Sequence, residues 1–192
     1  MTDEAEQNAE KYCLLALESN PESPVALALL ASIRLSQTQN DDAISLLEQS
    51  LSKWQGKDVI PPSYPDRLHL VRLLLEVDMY EKAMEVLESL QREDEDDVEL
   101  WYYYTIAYYS QNDQDSWSEN WKNARECGEN CLRLYEKLDW DDEDLKNGCV
   151  EMLEEIKKSG ISNDMEKDDE EEEDDHNEWV DSESDVDMED VN

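Results

Sequence analysis

Basic residues are scarce in this chain. Its 192 residues hold 16 Lys and Arg against 53 Asp and Glu, a net charge of −37. That excess repels phosphate backbones and argues against direct nucleic-acid binding. It also destabilises the free fold, because folding compacts like charges, and a basic partner relieves the strain. Histidine occurs only as His69 and His176. Acid–base catalysis would rest on carboxylates, and nothing singles out a pair. No phosphate loop, nucleophile elbow or metalloprotease helix appears, so the chain reads as a non-enzyme without a cofactor. Four Gly and five Pro imply long helices and few tight turns. Period-two clusters of β-branched residues are missing, so no sheet is expected. No apolar run approaches membrane-spanning length. Met1-Thr2-Asp3-Glu4 does not look like a signal peptide. The four cysteines, Cys13, Cys127, Cys131 and Cys149, are then expected as free packing thiols in a reducing compartment, with no metal site.

What the chain does have is helical periodicity. Ala9, Cys13, Ala16 and Leu17 form one amphipathic stripe, and Ala43, Ile44, Leu47 and Leu51 form another; Ala9 and Ala43 are 34 residues apart. Leu27, Leu30, Ala31 and Leu35 make a helix between them, with Asn40-Asp41-Asp42 as turn and N-cap. Small Ala at a fixed place in each pair lets two helices approach closely. A third pair covers about Pro65–Val77 and Glu81–Gln91. Ala43 and Ala83 are 40 residues apart, so six extra residues sit in a Pro/Gly-bearing loop over Gln55–Pro65. A fourth pair starts at Asp97 with Val98, Trp101, Tyr104, Thr105 and Tyr108, and its second helix carries Trp121, Ala124, Cys131, Leu132 and Tyr135. A last helix over about Glu143–Ser159 acts as a cap and ends at Gly160.

After that the stripe vanishes. Residues 163–192 carry −16 of the net charge, with the run Asp168–Asp175 at their centre, and residues 1–162 keep −21. Such a segment cannot bury enough apolar surface to offset its ordering entropy. Two domains are therefore expected, a helical one over 1–162 and a disordered acidic tail over 163–192.

These pairs resemble the tetratricopeptide-repeat family, carried by Ala16-Leu17-Glu18-Ser19-Asn20-Pro21, by Leu27, Leu30, Ala31, Ala43, Leu47 and Leu51, and by Trp101, Tyr104 and Tyr108. The resemblance covers about residues 3–157 and implies an all-α superhelix of stacked antiparallel helix pairs. The chain departs from the family in three ways. The first repeat shows only its second helix, repeats three and four carry insertions, and Ala31, Val71 and Thr105 replace the usual glycine. Within that family, a repeat array plus acidic tail is similar to the fungal assembly chaperones dedicated to large-subunit ribosomal protein four. That likeness implies a protein that holds the long basic extension of a newly made ribosomal protein. It also implies travel with the client from cytoplasm to nucleus, with an import receptor, and a monomer when alone.

The family lines its groove with the first helix of each pair. Aligned on Trp101, the resemblance turns Glu99, Tyr102, Ile106 and Tyr109 to the groove and packs Trp101, Tyr104 and Tyr108 between repeats. It turns Leu68, Arg72, Leu75 and Glu76 to the groove in the third pair, and Val25, Ala28, Ser32 and Leu35 in the second. Glu76 and Glu99 suit Lys or Arg, and Tyr102 and Tyr109 suit stacking on guanidinium. Trp101-Tyr102-Tyr103-Tyr104 puts aromatics on every face of one helix; they meet a partner or pack against the inserted loops. The family's carboxylate clamp needs Lys, Asn and Arg where Ala28, Ser32, Leu68, Tyr102 and Ile106 stand, so that use is rejected. In the tail, Trp179 is an anchor for an apolar notch of a partner. Ser182 and Ser184, each with an acid three residues on, suit an acidophilic kinase. The tail either screens a basic client or only aids solubility. Rival readings are an acidic histone-type chaperone and a repeat scaffold bridging subunits of a complex.

Overall fold

The computed structural model describes residues 3–54, 60–111 and 117–160. The tail from Asn163, with Trp179, Ser182 and Ser184, lies outside the described residues. Among those described are eight α-helices and no strand. They are α1 (Asp3–Ser19), α2 (Pro24–Ser36), α3 (Asn40–Ser52), α4 (Tyr64–Glu76), α5 (Tyr80–Gln91), α6 (Val98–Ser110), α7 (Trp117–Lys137) and α8 (Glu143–Lys158). Pairs α2/α3, α4/α5 and α6/α7 stack in order, the all-α repeat arrangement expected. We call α2, α4, α6 and α8 the A helices and the others the B helices. No helix among the described residues is long and apolar enough to cross a membrane.

Three of the A helices, α2, α6 and α8, start at a side-chain cap, whereas Ser63 before α4 makes no cap bond. Ser23 accepts from the Ala26 amide, with Pro24 in the first turn of α2. Asp97 and Asp142 accept from Leu100 and Leu145, each at 3.0 Å. Three A–B or B–A turns close in the same way. The Gln39 amide donates to Arg34 O at 2.8 Å, Met79 to Leu74 O at 2.8 Å and Trp140 to Tyr135 O at 3.0 Å. The residues just before them, Thr38, Asp78 and Asp139, hold positive φ of 59°, 59° and 51°. This is the Schellman closure, in which a left-handed residue lets two amides satisfy orphan carbonyls. One expectation is corrected here. The N-cap of α3 is Gln39, with no side-chain cap bond, and Asn40, Asp41 and Asp42 already lie in the helix. The turn leaves no room for a separate cap, so Asp41 and Asp42 act instead as first-turn charges.

Packing follows the small residues. Ala43, Ala83 and Ala124 hold matching places on α3, α5 and α7 and are fully buried, as are Ala31 and Ala107 on the A helices. One cluster joins Leu47, Leu70, Val71, Leu74, Leu87, Leu90 and Leu100. Each such Leu stabilises by roughly 1.5–3 kcal/mol when fully buried. A second, smaller cluster gathers Val98, Cys131, Leu134, Tyr135, Leu145 and Cys149 between α6, α7 and α8. One cation among the described residues is buried. Arg67 pairs with Glu93, donates from Nε to Pro62 O at 3.0 Å and fastens the loop before α4. α1 is tied to α2 by polar contacts: Glu10 takes Arg34 at 2.7 Å and Gln37 at 3.2 Å.

Candidate functional site

Helical spacing gives α2, α4 and α6 one outward stripe each. On α2 it is Val25, Leu29, Ser32 and Ser36; on α4, Asp66, His69, Arg72 and Glu76; on α6, Glu99, Tyr103, Ile106 and Ser110. All are half-buried or exposed. Leu29 is 44% exposed on an otherwise polar rim. Between α2 and α4 the stripe holds an apolar cleft of about 140 Å³, lined among others by Val25, Ala28, Leu29, Pro62, Asp66 and His69. The Nε2 of His69 is buried there without a hydrogen-bond partner. Arg72 Nη2 lies 3.5 Å from Nδ1, which leaves the ring proton on Nε2 as an unused donor. Burial lowers this imidazole below the usual histidine range; the Arg72 charge lowers it further and Asp66 opposes them.

Arg72, Glu99 and Tyr103 lie within electrostatic reach of one another. Burial raises the Glu99 carboxyl above the usual range; Asp97 and Asp142 raise it further and Arg72 opposes them. Burial also pushes the Tyr103 phenol up to about 12, with Glu99 the next cause. A carboxylate hemmed in by two others is relieved by any cation set against it. The arrangement suits a Lys or Arg side chain more than an anion.

The expected residues distribute unevenly. Arg72 and Glu76 are exposed on α4, and Glu99 and Ile106 are half-buried on α6. Tyr102 and Tyr109 turn toward neighbouring helices instead of open groove. A Cβ added to Gly148 of α8 would sit 2.7 Å from the Tyr102 hydroxyl. The Tyr109 hydroxyl donates to Glu155 of α8, its ring stacks on Trp121 at 5.5 Å, and Trp121 Nε1 donates to Tyr109 O. Both contacts join residues 46 apart, so α8 runs parallel to α6 as the next A helix would. Leu68 and Leu75, expected in the groove, are buried in the core, as is Ala28, which still lines the cleft. Leu35 packs on the larger cluster. Tyr104 is buried and donates to Gln91 at 3.0 Å, while Trp101 and Tyr108 flank it between repeats.

Sequence reasoning missed Tyr103, His69, Asp66 and Leu29. Stepping four residues from Glu99 finds Tyr103. Stepping from Trp101 also finds Glu99 and Ile106 but gives Tyr102 and Tyr109 where Tyr103 and Ser110 face outward, and the rings surrounding α6 carry no phase to separate them. The thiols pack: Cys131 donates to Val98 O at 3.6 Å and Cys149 to Gly128 O at 3.5 Å. Burial pushes the Cys127 thiol up to about 12. Among the described residues no group of three His, Cys, Asp or Glu is placed to hold a metal ion.

No protein-family model matches the chain. It is 35% identical, over 98% of its length, to a Schizosaccharomyces pombe protein named "Probable assembly chaperone of rpl4". It is 35% identical, over 97% of its length, to an Emericella nidulans protein of the same name. The chain spans 58% and 54% of the length of these relatives. Among solved structures it is similar to the Assembly Chaperone of RpL4 (Acl4). That match has a TM-score of 0.54 and 38% identity, covering 60% of this chain and 42% of the other. A human IFIT1 dimer shares the fold at a TM-score of 0.50 and 17% identity, over 77% of this chain and 33% of that one.

Proposed function

We propose, from the similarity of nearly the whole chain to assembly chaperones of rpl4, that this protein is a dedicated chaperone of the same client. It binds the newly made, strongly basic large-subunit ribosomal protein four and shields its basic extension until assembly. The observation that carries the reading is 35% identity across 98% of the chain. Two physical features support it. The first 162 residues are acidic in their own right, at −21. The A helices present Glu76, Glu99 and Tyr103 on their outward stripes, and α2 and α4 hold an apolar cleft between them, a surface for an extended basic segment. The protein acts by binding, without catalysis. It meets its client in the cytoplasm as a monomer and enters the nucleus with it on an import receptor. There, ribosomal RNA displaces the carboxylates and takes the client. Trp179 and the acidic residues around it add a second, screening contact, which phosphorylation at Ser182 and Ser184 strengthens.

The test is a native pull-down of the tagged full chain at moderate salt, with mass spectrometry of stoichiometric partners. Ribosomal protein four at near one-to-one is the expected result. Histones, or a set of neutral complex subunits, would overturn the reading. Replacing Glu99 by Gln and Tyr103 by Ala together should weaken client capture about tenfold, in line with loss of a charge pair and a cation–π contact.

A further inference from the structure

The turn from α7 to α8 builds a cleft that shares no residue with the A-helix stripes. It measures about 790 Å³. Its walls are the rings of Tyr135 and Trp140, the carboxylates of Glu136, Asp139, Asp141 and Glu143, and Lys146. The Tyr135 side chain is the telling part. The residue is only 5% exposed, it lines the cleft, and its hydroxyl has no hydrogen-bond partner. A buried phenol left unpaired is unfavourable, and this hydroxyl is covered, so a partner reaches it only when a neighbouring side chain moves aside. Burial raises this phenol above its usual range, and Glu143, Asp141, Asp142 and Asp139 then raise it further. Their fields converge on the hydroxyl.

The chain already places one cation here. Lys146 Nζ lies 5.1 Å from the Tyr135 ring centroid. One ammonium against four carboxylates leaves the cleft negative. Trp140 stays 38% exposed, and its amide is pinned to Tyr135 O at 3.0 Å, so its backbone is set at the rim. Aromatic walls with flanking carboxylates suit a flat, weakly hydrated cation better than a hard divalent ion.

We propose that the α7–α8 cleft takes an arginine side chain of a basic peptide. The guanidinium stacks on Trp140, pairs with Asp139, Asp141 and Glu143, and, once a side-chain shift uncovers it, donates a hydrogen bond to Tyr135 Oη. The inference rests on the reading of a basic client and names a further contact for it.

The experiment is an NMR titration of the ¹⁵N-labelled full chain with a blocked glycine–arginine repeat peptide at about 0.15 M salt, where long-range attraction is screened. A glycine–lysine peptide serves as the comparison. The Trp140 indole N–H and the amides of Asp139 to Lys146 should shift, and arginine should bind tighter than lysine. Trp140→Leu, and separately D139N with D141N, should each weaken binding about tenfold, and Tyr135→Phe about threefold. Shifts confined to other parts of the chain would overturn the proposal, as would variants that bind like the parent. In that case ribosomal protein four still appears in the pull-down and the function stands. If Trp140 responds but ribosomal protein four is never captured, the chaperone reading fails and the arginine site survives.

Discussion

The helices α2–α5 and the helices α6–α8 solve the same packing problem with different materials. In α2–α5 the core is leucine and valine, closed by Schellman turns at Thr38 and Asp78. In α6–α8 the gaps are filled by rings, thiols and glycines. Tyr104 stacks on Tyr108, Cys131 and Cys149 fill the α7–α8 contact, and Gly128 admits Leu153. Leucine has nothing to offer a ligand except area. A tyrosine that packs by its ring keeps a hydroxyl, and that hydroxyl must find a partner. The aromatic half is therefore where binding chemistry can reside without loss of packing, and the leucine half is the frame that holds it. The charged stripe residues of α4, Asp66, Arg72 and Glu76, are side chains on the outer face of that frame.

The strongest way to break this comparison is to hollow out the frame. Leu87 is fully buried at the centre of the larger cluster. Leu87→Ala should destabilise by about 2–5 kcal/mol, from lost transfer energy and the cavity left behind. The two halves share Leu100, Tyr104 and Ala107 of α6 in that cluster. Near-ultraviolet circular dichroism of the rings and far-ultraviolet signal of the helices should then melt together. Two separate transitions would show the halves to be independent folding units.

A smaller effect is expected at Gly148. Glycine inside a helix is disfavoured by roughly 1 kcal/mol against alanine, so its presence needs a reason. The reason is the Tyr102 hydroxyl, 2.7 Å from where a Cβ would sit. Gly148→Leu should overpack this contact by about 1–3 kcal/mol. Hydrogen exchange should quicken in α8 while α2–α5 keep their protection. Equal loosening of α2–α5 would mean that α8 braces the frame and is not merely docked on it.

These residues also show what was legible in the sequence and what was not. The stripes through Ala43, Leu47 and Leu51, and through Ala83, Leu87 and Leu90, give helix, face and pairing at once, because apolar and polar positions alternate with one phase. The run Trp101 to Tyr104 has no polar gap, so the outward face of α6 could not be phased, and Tyr102 took the place that belongs to Tyr103. The family resemblance turns Leu68 and Leu75 to the groove, but it cannot tell a groove wall from a seam between α4 and its neighbours, where both are buried. The α7–α8 cleft had no pattern to read. Tyr135 and Trp140 are separated by a turn, and only the left-handed residue at Asp139 brings them together.

That residue sets up the smallest and sharpest test. Thr38, Asp78 and Asp139 all hold positive φ, a region that disfavours side chains by about 1–2 kcal/mol, least for Asp. Glycine removes the clash but adds freedom to the unfolded chain, so part of the gain is returned. Thr38→Gly should stabilise by about 0.5–1 kcal/mol, because a β-branched residue fits this region worst. Asp78→Gly should gain less. Neither position belongs to the α7–α8 cleft, so arginine-peptide affinity should not move. Asp139→Gly relieves the same backbone conformation but removes a carboxylate from that cleft. It should leave thermal stability equal or slightly higher while weakening the peptide. Identical behaviour at all three turns would mean that Asp139 serves only the turn. A split, with binding lost at Asp139 alone, would show that one structural device does different work in the two halves of the stack.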